Sequence, residues 1–143
     1  MVLEQHFTLR NEIGEIPLLA ERIEAFGAEG ALSSQHIYQL NLVLDELITN
    51  IVSYGYEDAD PHEIRLWLRA EPGRLTVVLS DDGKAFNPLE QAPKAILEGS
   101  IEERPIGGLG IHFMRTLMDE VSYERRDGHN HLTMIKHLGK NEG

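Results

Sequence analysis

Glutamate and asparagine stand four positions apart in the string LDELITNIVSYGYED, as Glu46 and Asn50. On a helix that spacing sets a carboxylate and a carboxamide on one side, about one turn apart. At about 100° per residue they fall on a flank of the apolar stripe made by their neighbours, and a flank faces a cleft more readily than bulk core does. Asparagine is also a poor resident of a helix interior, because its side chain competes for backbone hydrogen bonds. A half-exposed polar face would have the same composition, so the pair gains meaning from its surroundings.

A second run, LSDDGKAFNP, sets Asp81 and Asp82 at the end of a strongly apolar alternating segment and follows them with Gly83. The glycine lets the backbone turn sharply while a carboxylate stays rigidly placed at the sheet edge. Such an acceptor can take a hydrogen bond from an exocyclic amine, although a polar turn ending a strand reads the same way. In a third run, PIGGLGIHFM, Gly107, Gly108 and Gly110 precede a helical pattern. Uncovered amides beside a helix N-terminus suit phosphate oxygens, and a hinge would also use them.

Other chemistries find less support. There is no cysteine, hence no disulfide, cysteine nucleophile or cysteine zinc site. His129 and His131 alternate in a hairpin without an H-E-x-x-H motif, which argues against zinc. No GxxxxGK[ST] loop and no nucleophile elbow around any serine occurs.

The elements that must position these residues follow from periodicity. Residues 2–10 alternate around Leu3, Phe7 and Leu9 as a strand. Pro17 suits a first helical turn, and Ile16, Leu19, Ile23 and Phe26 recur at helical spacing until Gly27 and Gly30, which are expected to stop that helix. A longer helix opens at Ser33 or Ser34, with Ile37, Leu40, Leu44, Leu47, Ile48 and Ile51 as its stripe, and ends near Gly55. Ile64, Leu66 and Leu68 pair with Leu75, Val77 and Leu79 across Glu71-Pro72-Gly73-Arg74 as a hairpin. Residues 81–110 read as an irregular connection of the kind that covers a ligand, 111–119 as a helix, and 120–126 and 131–138 as strands meeting across Asp127-Gly128. This order predicts an α+β fold, a two-layer sandwich with helices on one face of a mainly antiparallel mixed sheet.

At 143 residues and 16.1 kDa the chain fits one domain, 1–143, with a sizeable core. Thirteen basic against 24 acidic residues, a net of −11, disfavour nucleic acid and anionic lipid as partners. The acidic excess is concentrated in residues 1–83, with 5 Lys+Arg against 15 Asp+Glu, so phosphates are more easily placed on the later half. No apolar run reaches the roughly 18 residues of a membrane span, and the start lacks a signal-peptide pattern, so a cytoplasmic location is expected.

Taken together and in order, the E-x-x-x-N pair, the D-x-G-x-A turn and the glycine-rich segment resemble the N, G1 and G2 boxes of the Bergerat-fold ATPases. Within that superfamily ELITNIVSYGYED, SDDGKAFNP, GGLGIHFMRTLMDEV and LTMIKHL are similar to the small stand-alone anti-sigma factor serine/threonine kinases of bacterial partner switching. The resemblance covers nearly the whole chain. It implies ATP and Mg²⁺ as cofactors, with Asn50 as the metal ligand and Glu46 as the general base for an attacking hydroxyl. It further implies that Asp81 accepts the adenine amino group, that Gly83 and Ala85 give the base room, and that Gly108 and Gly110 hold phosphates. Residues 92–110, with Lys94 and Arg104, would form a lid. The implied partners are a STAS-type anti-sigma antagonist as substrate, a sigma factor or other regulatory protein, and a second copy of the chain.

Three positions depart from the family pattern. Tyr54 stands where a histidine is frequent, and Ala85 replaces the second glycine of the common G1 form. At the start of the last strand, where a threonine is usual, DGHNHLT offers Asn130 and His131, with Thr133 later. Two alternatives follow. One is a nucleotide-sensing module that sequesters its partner without phosphotransfer; the other is a catalytic module from a histidine kinase, for which neither a dimerisation helix pair nor a phospho-accepting histidine segment is present.

Overall fold

A computed structural model describes residues 2–58, 60–91 and 114–139. The chain forms β1 (Leu3–Arg10), α1 (Glu15–Glu29), α2 (Ser34–Tyr54), β2 (Glu63–Glu71), β3 (Arg74–Asp81), α3 (Pro88–Gln91), β4 (Glu120–Arg126) and β5 (His129–His137). Residues 114–117 are helical, within the segment expected to be so. The five strands make one sheet in the order β1-β2-β3-β5-β4, and all four pairings are antiparallel, so the observed sheet is antiparallel throughout its described strands.

Turn chemistry sets the two hairpins. Between β2 and β3, Pro72 fixes its own φ while Gly73 sits at φ +82, the pairing a type II turn requires. Between β4 and β5, Asp127 and Gly128 both have positive φ, 54 and 78, which is the I′ pattern that matches strand twist. That tight turn starts β5 at His129, two residues earlier than the periodicity suggests.

Period-two alternation then sorts the side chains. Ile64, Leu66, Leu68 and Ala70 of β2, Leu75, Val77 and Leu79 of β3, and Leu132 and Met134 of β5 are buried. They join Leu19, Ile23 and Phe26 of α1 and Leu40, Val43, Leu44, Leu47 and Ile48 of α2 in one core, so both long helices cover the same face of the sheet. Gly27 corrects an expectation. It does not end α1, which runs on to Glu29 with Gly30 as its cap. Gly27 is buried inside the helix, and a Cβ there would lie 2.4 Å from Ile37 Cγ1, so the missing side chain lets α2 approach. The Ser33 hydroxyl accepts from the His36 N–H at 3.1 Å and caps α2, and Gly55 ends it.

Candidate active site

The inward alternation of β3 does not finish on an apolar residue. After Leu75, Val77 and Leu79 the next inward position is Asp81, which is 6% exposed. Opposite it in register stands Asn130, at 7% exposure the other buried polar residue among those described. A buried carboxylate must be paired or hydrogen-bonded, and this one is. Its Oδ1 accepts the Asn130 Nδ2–H at 3.0 Å and the Gly83 N–H at 2.9 Å. Burial pushes the Asp81 carboxyl above the usual carboxylate range, outweighing these two donors and the nearby Arg125 charge, which pull it down.

The turn after Asp81 is held from several sides. The Gly83 carbonyl accepts from Arg125 Nη1 at 2.7 Å, and the Lys84 carbonyl accepts from Asn130 Nδ2 at 2.9 Å. The Lys84 N–H donates to the Gly55 carbonyl at 2.9 Å, which ties the turn to the end of α2. Gly83 is required there, since a Cβ would come within 2.7 Å of the Gly55 carbonyl oxygen and 2.9 Å of Asp81 Oδ1. Through this tie the last turns of α2, carrying Asn50 and one turn earlier Glu46, meet the end of β3. Both side chains are half-buried, on the flank of the stripe as the wheel predicts.

Asp82 points to the other face, where it joins a second cluster. Tyr56 Oη donates to its Oδ1 at 3.1 Å, and His62 Nδ1 lies 3.2 Å from its Oδ2, while His62 Nε2 lies 2.7 Å from Asp58 Oδ1. The Tyr56 and His62 rings stack at 4.1 Å. An imidazole between two carboxylates donates to both only when it is protonated. The Asp58 and then the Asp82 hydrogen bond accordingly hold the His62 pKa above its ordinary value. Burial pushes Asp82 up, but His62 and Tyr56 as donors prevail, and Asp58 is lowered chiefly by His62. Burial, the Asp81 charge and the bond to Asp82 raise the Tyr56 phenol well above its usual value, so it remains a donor.

These directions set a pH window. The His62 contribution to stability is complete below the ordinary histidine value of 6.5 and is lost as pH rises through the raised one. The carboxylate contributions are complete above the ordinary 3.8 and are lost as pH falls through the depressed values. The difference in melting temperature between the native chain and His62→Ala should therefore be largest between those limits and shrink on the alkaline side. A difference that stays level from pH 5 to 9 would contradict the paired imidazolium.

Of the residues singled out from the sequence, the fold brings Asp81 and Gly83 together and ties them to the helix of Glu46 and Asn50. Ala85 follows on the same turn and is exposed. Gly107, Gly108, Gly110, Lys94 and Arg104 lie outside the described residues. Sequence reasoning missed Arg125, Tyr56 and His62, and left Asn130 as an unmatched position. Counting from the Asp-Gly turn sets Asn130 opposite Arg125; only the pairing of β5 with β3, which no local motif announces, sets it opposite Asp81. Thr133 pairs with Val78 instead, well away from the carboxylate.

Residues 9–136 match the family described as the histidine kinase-like ATPase domain. Over 100 residues the chain is 38% identical to the serine/threonine-protein kinase BtrW of Bordetella bronchiseptica, an alignment covering 70% of each protein. It is 26% identical over 121 residues to the anti-sigma F factor of a Thermoanaerobacter species, covering 84% of this chain and 83% of that one. Among solved structures, the RsbU and RsbW domains of Rv1364c from Mycobacterium tuberculosis superpose with a TM-score of 0.64 at 15% identity. That superposition covers 99% of this chain and 34% of the other, so the chain spans about a third of that protein, and the likeness is one of fold.

Proposed function

The chain belongs to the histidine kinase-like ATPase domain family, and on that premise we propose that it is an ATP-dependent protein serine/threonine kinase acting as an anti-sigma regulatory factor. Its substrate is a serine or threonine of a STAS-type antagonist, and it also binds a sigma factor or comparable regulator. It works in the cytoplasm as a single domain and as a homodimer. The observation that carries this reading is the buried, twice-bonded Asp81 tied through Gly83 and Lys84 to the end of the helix that bears Glu46 and Asn50.

In this reading Asp81 takes the adenine amino group, and the Gly83 turn, followed by Ala85, leaves space for the ring. Gly108 and Gly110 offer their amides to phosphates. Magnesium keeps water and substrate phosphates as most of its ligands, so one amide oxygen from Asn50, on a half-buried helix flank, fits what the ion asks of a protein. When bound, it would neutralise phosphate charge. Glu46 takes the proton from the partner's hydroxyl as that oxygen forms its bond to the γ-phosphorus. The bond to the β–γ bridging oxygen breaks, and ADP leaves with that electron pair.

Incubating the purified chain with labelled ATP, Mg²⁺ and the antagonist that co-purifies from its host should label that antagonist on serine or threonine. Saturable nucleotide binding with no label transferred would contradict the kinase and leave a nucleotide-sensing module that works by docking alone.

A further inference from the structure

Resting on the reading of Asp81 as the purine acceptor, we infer that Asn130 is the positioning residue that makes this site selective for a 6-aminopurine. Asp81 offers two oxygens. Oδ1 is occupied by the Asn130 amide at 3.0 Å and the Gly83 N–H at 2.9 Å, and Oδ2 takes no hydrogen bond among the described residues. The carboxylate is thereby oriented with one oxygen committed to the protein and one left over for a ligand.

Asn130 is itself locked. Its Nδ2 also donates to the Lys84 carbonyl at 2.9 Å, while its Oδ1 accepts from the Tyr123 hydroxyl and from the Phe86 N–H at 3.3 Å. Reversing the amide would set its NH₂ against the Phe86 N–H and its oxygen against two acceptors, the Asp81 carboxylate and the Lys84 carbonyl. The Tyr123 hydroxyl could serve either way, so a single orientation satisfies all four neighbours. The side chain therefore joins the end of β3, the turn after it and both strands of the last hairpin in one network.

Selectivity follows from the charge state this network maintains. A protonated acid can donate as well as accept, and it would tolerate either an amine or a carbonyl at the purine 6-position. A carboxylate only accepts, so it rewards an amine and opposes a carbonyl. Burial favours the protonated form of Asp81, and the Asn130 N–H is the foremost of the groups that counter it, ahead of the Gly83 amide and Arg125.

The test compares the full chain with Asn130→Ala by calorimetric titration with ATP, with inosine triphosphate and with purine riboside triphosphate, which has no 6-substituent. The native chain should prefer ATP by about tenfold or more over both, as expected when a charged acceptor loses its donor. Asn130→Ala should narrow that preference several-fold through loss of ATP affinity, with the affinity for inosine triphosphate unchanged within about twofold. The acid limb of ATP binding should also move to higher pH, which a merely structural defect would not produce. Tyr123→Phe, which removes only a hydroxyl from the network, should narrow the preference in the same direction and serves should Asn130→Ala fold poorly. Equal binding of all three triphosphates by the native chain, or an undiminished preference in folded variants, would overturn the role of Asn130 while leaving the nucleotide site standing. No nucleotide uptake by the native chain would overturn both.

Discussion

Glu46→Gln is expected to slow phosphoryl transfer to the protein substrate by about 10²–10⁴-fold while leaving ATP affinity within a factor of about three. Glutamine keeps the length and hydrogen-bonding reach of the side chain but cannot take a proton from a hydroxyl. Glu46 lies on the half-buried flank of α2, one turn before Asn50, so the change removes no apolar packing from the core below it. Single-turnover transfer measured beside equilibrium ATP binding separates the two effects. Transfer at the native rate would remove Glu46 from the chemistry, and a parallel collapse of binding would assign it to the nucleotide instead.

Asp81→Asn should act on the opposite quantity. Losing a charged acceptor for an amine corresponds to about 1.5–3 kcal/mol, or about 10–150-fold in ATP affinity. Stability should move the other way. Because burial raises the Asp81 pKa on folding, its ionised form is a cost to the folded state. That cost is absent below the ordinary carboxylate pKa of 3.8 and complete above the raised one. An asparagine can still accept from Asn130 and Gly83 through its own oxygen and carries no charge. The variant should therefore be at least as stable as the native chain near neutral pH, and its advantage should vanish on acidification. Paired melting and ATP titrations check this; a variant that loses stability and retains ATP would show that Asp81 is a structural buttress.

How much of this was legible beforehand depended on range. The two long helices, the Pro-Gly hairpin and the Asp-Gly turn are local events, decided by spacing, capping and φ preference within a few residues, and Ser33, Gly73 and Gly128 act as the local rules require. Gly27 misled because local rules read a glycine as a stop. Its actual use, close approach to Ile37, is a contact between two elements. The site divides in the same way. Glu46 with Asn50 and Asp81 with Gly83 are short motifs on single elements and could be picked out. Asn130 and Arg125 reach Asp81 and its turn only because β5 pairs with β3 and β4 with β5, partners 49 and 42 residues apart in the chain. His62 meets Asp82 at the open end of the Pro-Gly hairpin, where the β2–β3 register sets Ile64 opposite Asp81. The hairpin is local, but the contact joins residues just outside its two strands and belongs to no short motif.

Amide and side-chain chemical shifts followed during titration with ATP and Mg²⁺ would locate the nucleotide directly. Saturable changes concentrated at Asn50, Gly83, Lys84 and the Asn130 side chain are the expected result, with the strands' helix-free face around Trp67 and Val78 unmoved. Changes centred on that opposite face, or none at saturating nucleotide, would contradict a purine held by Asp81 beside the helix of Glu46 and Asn50.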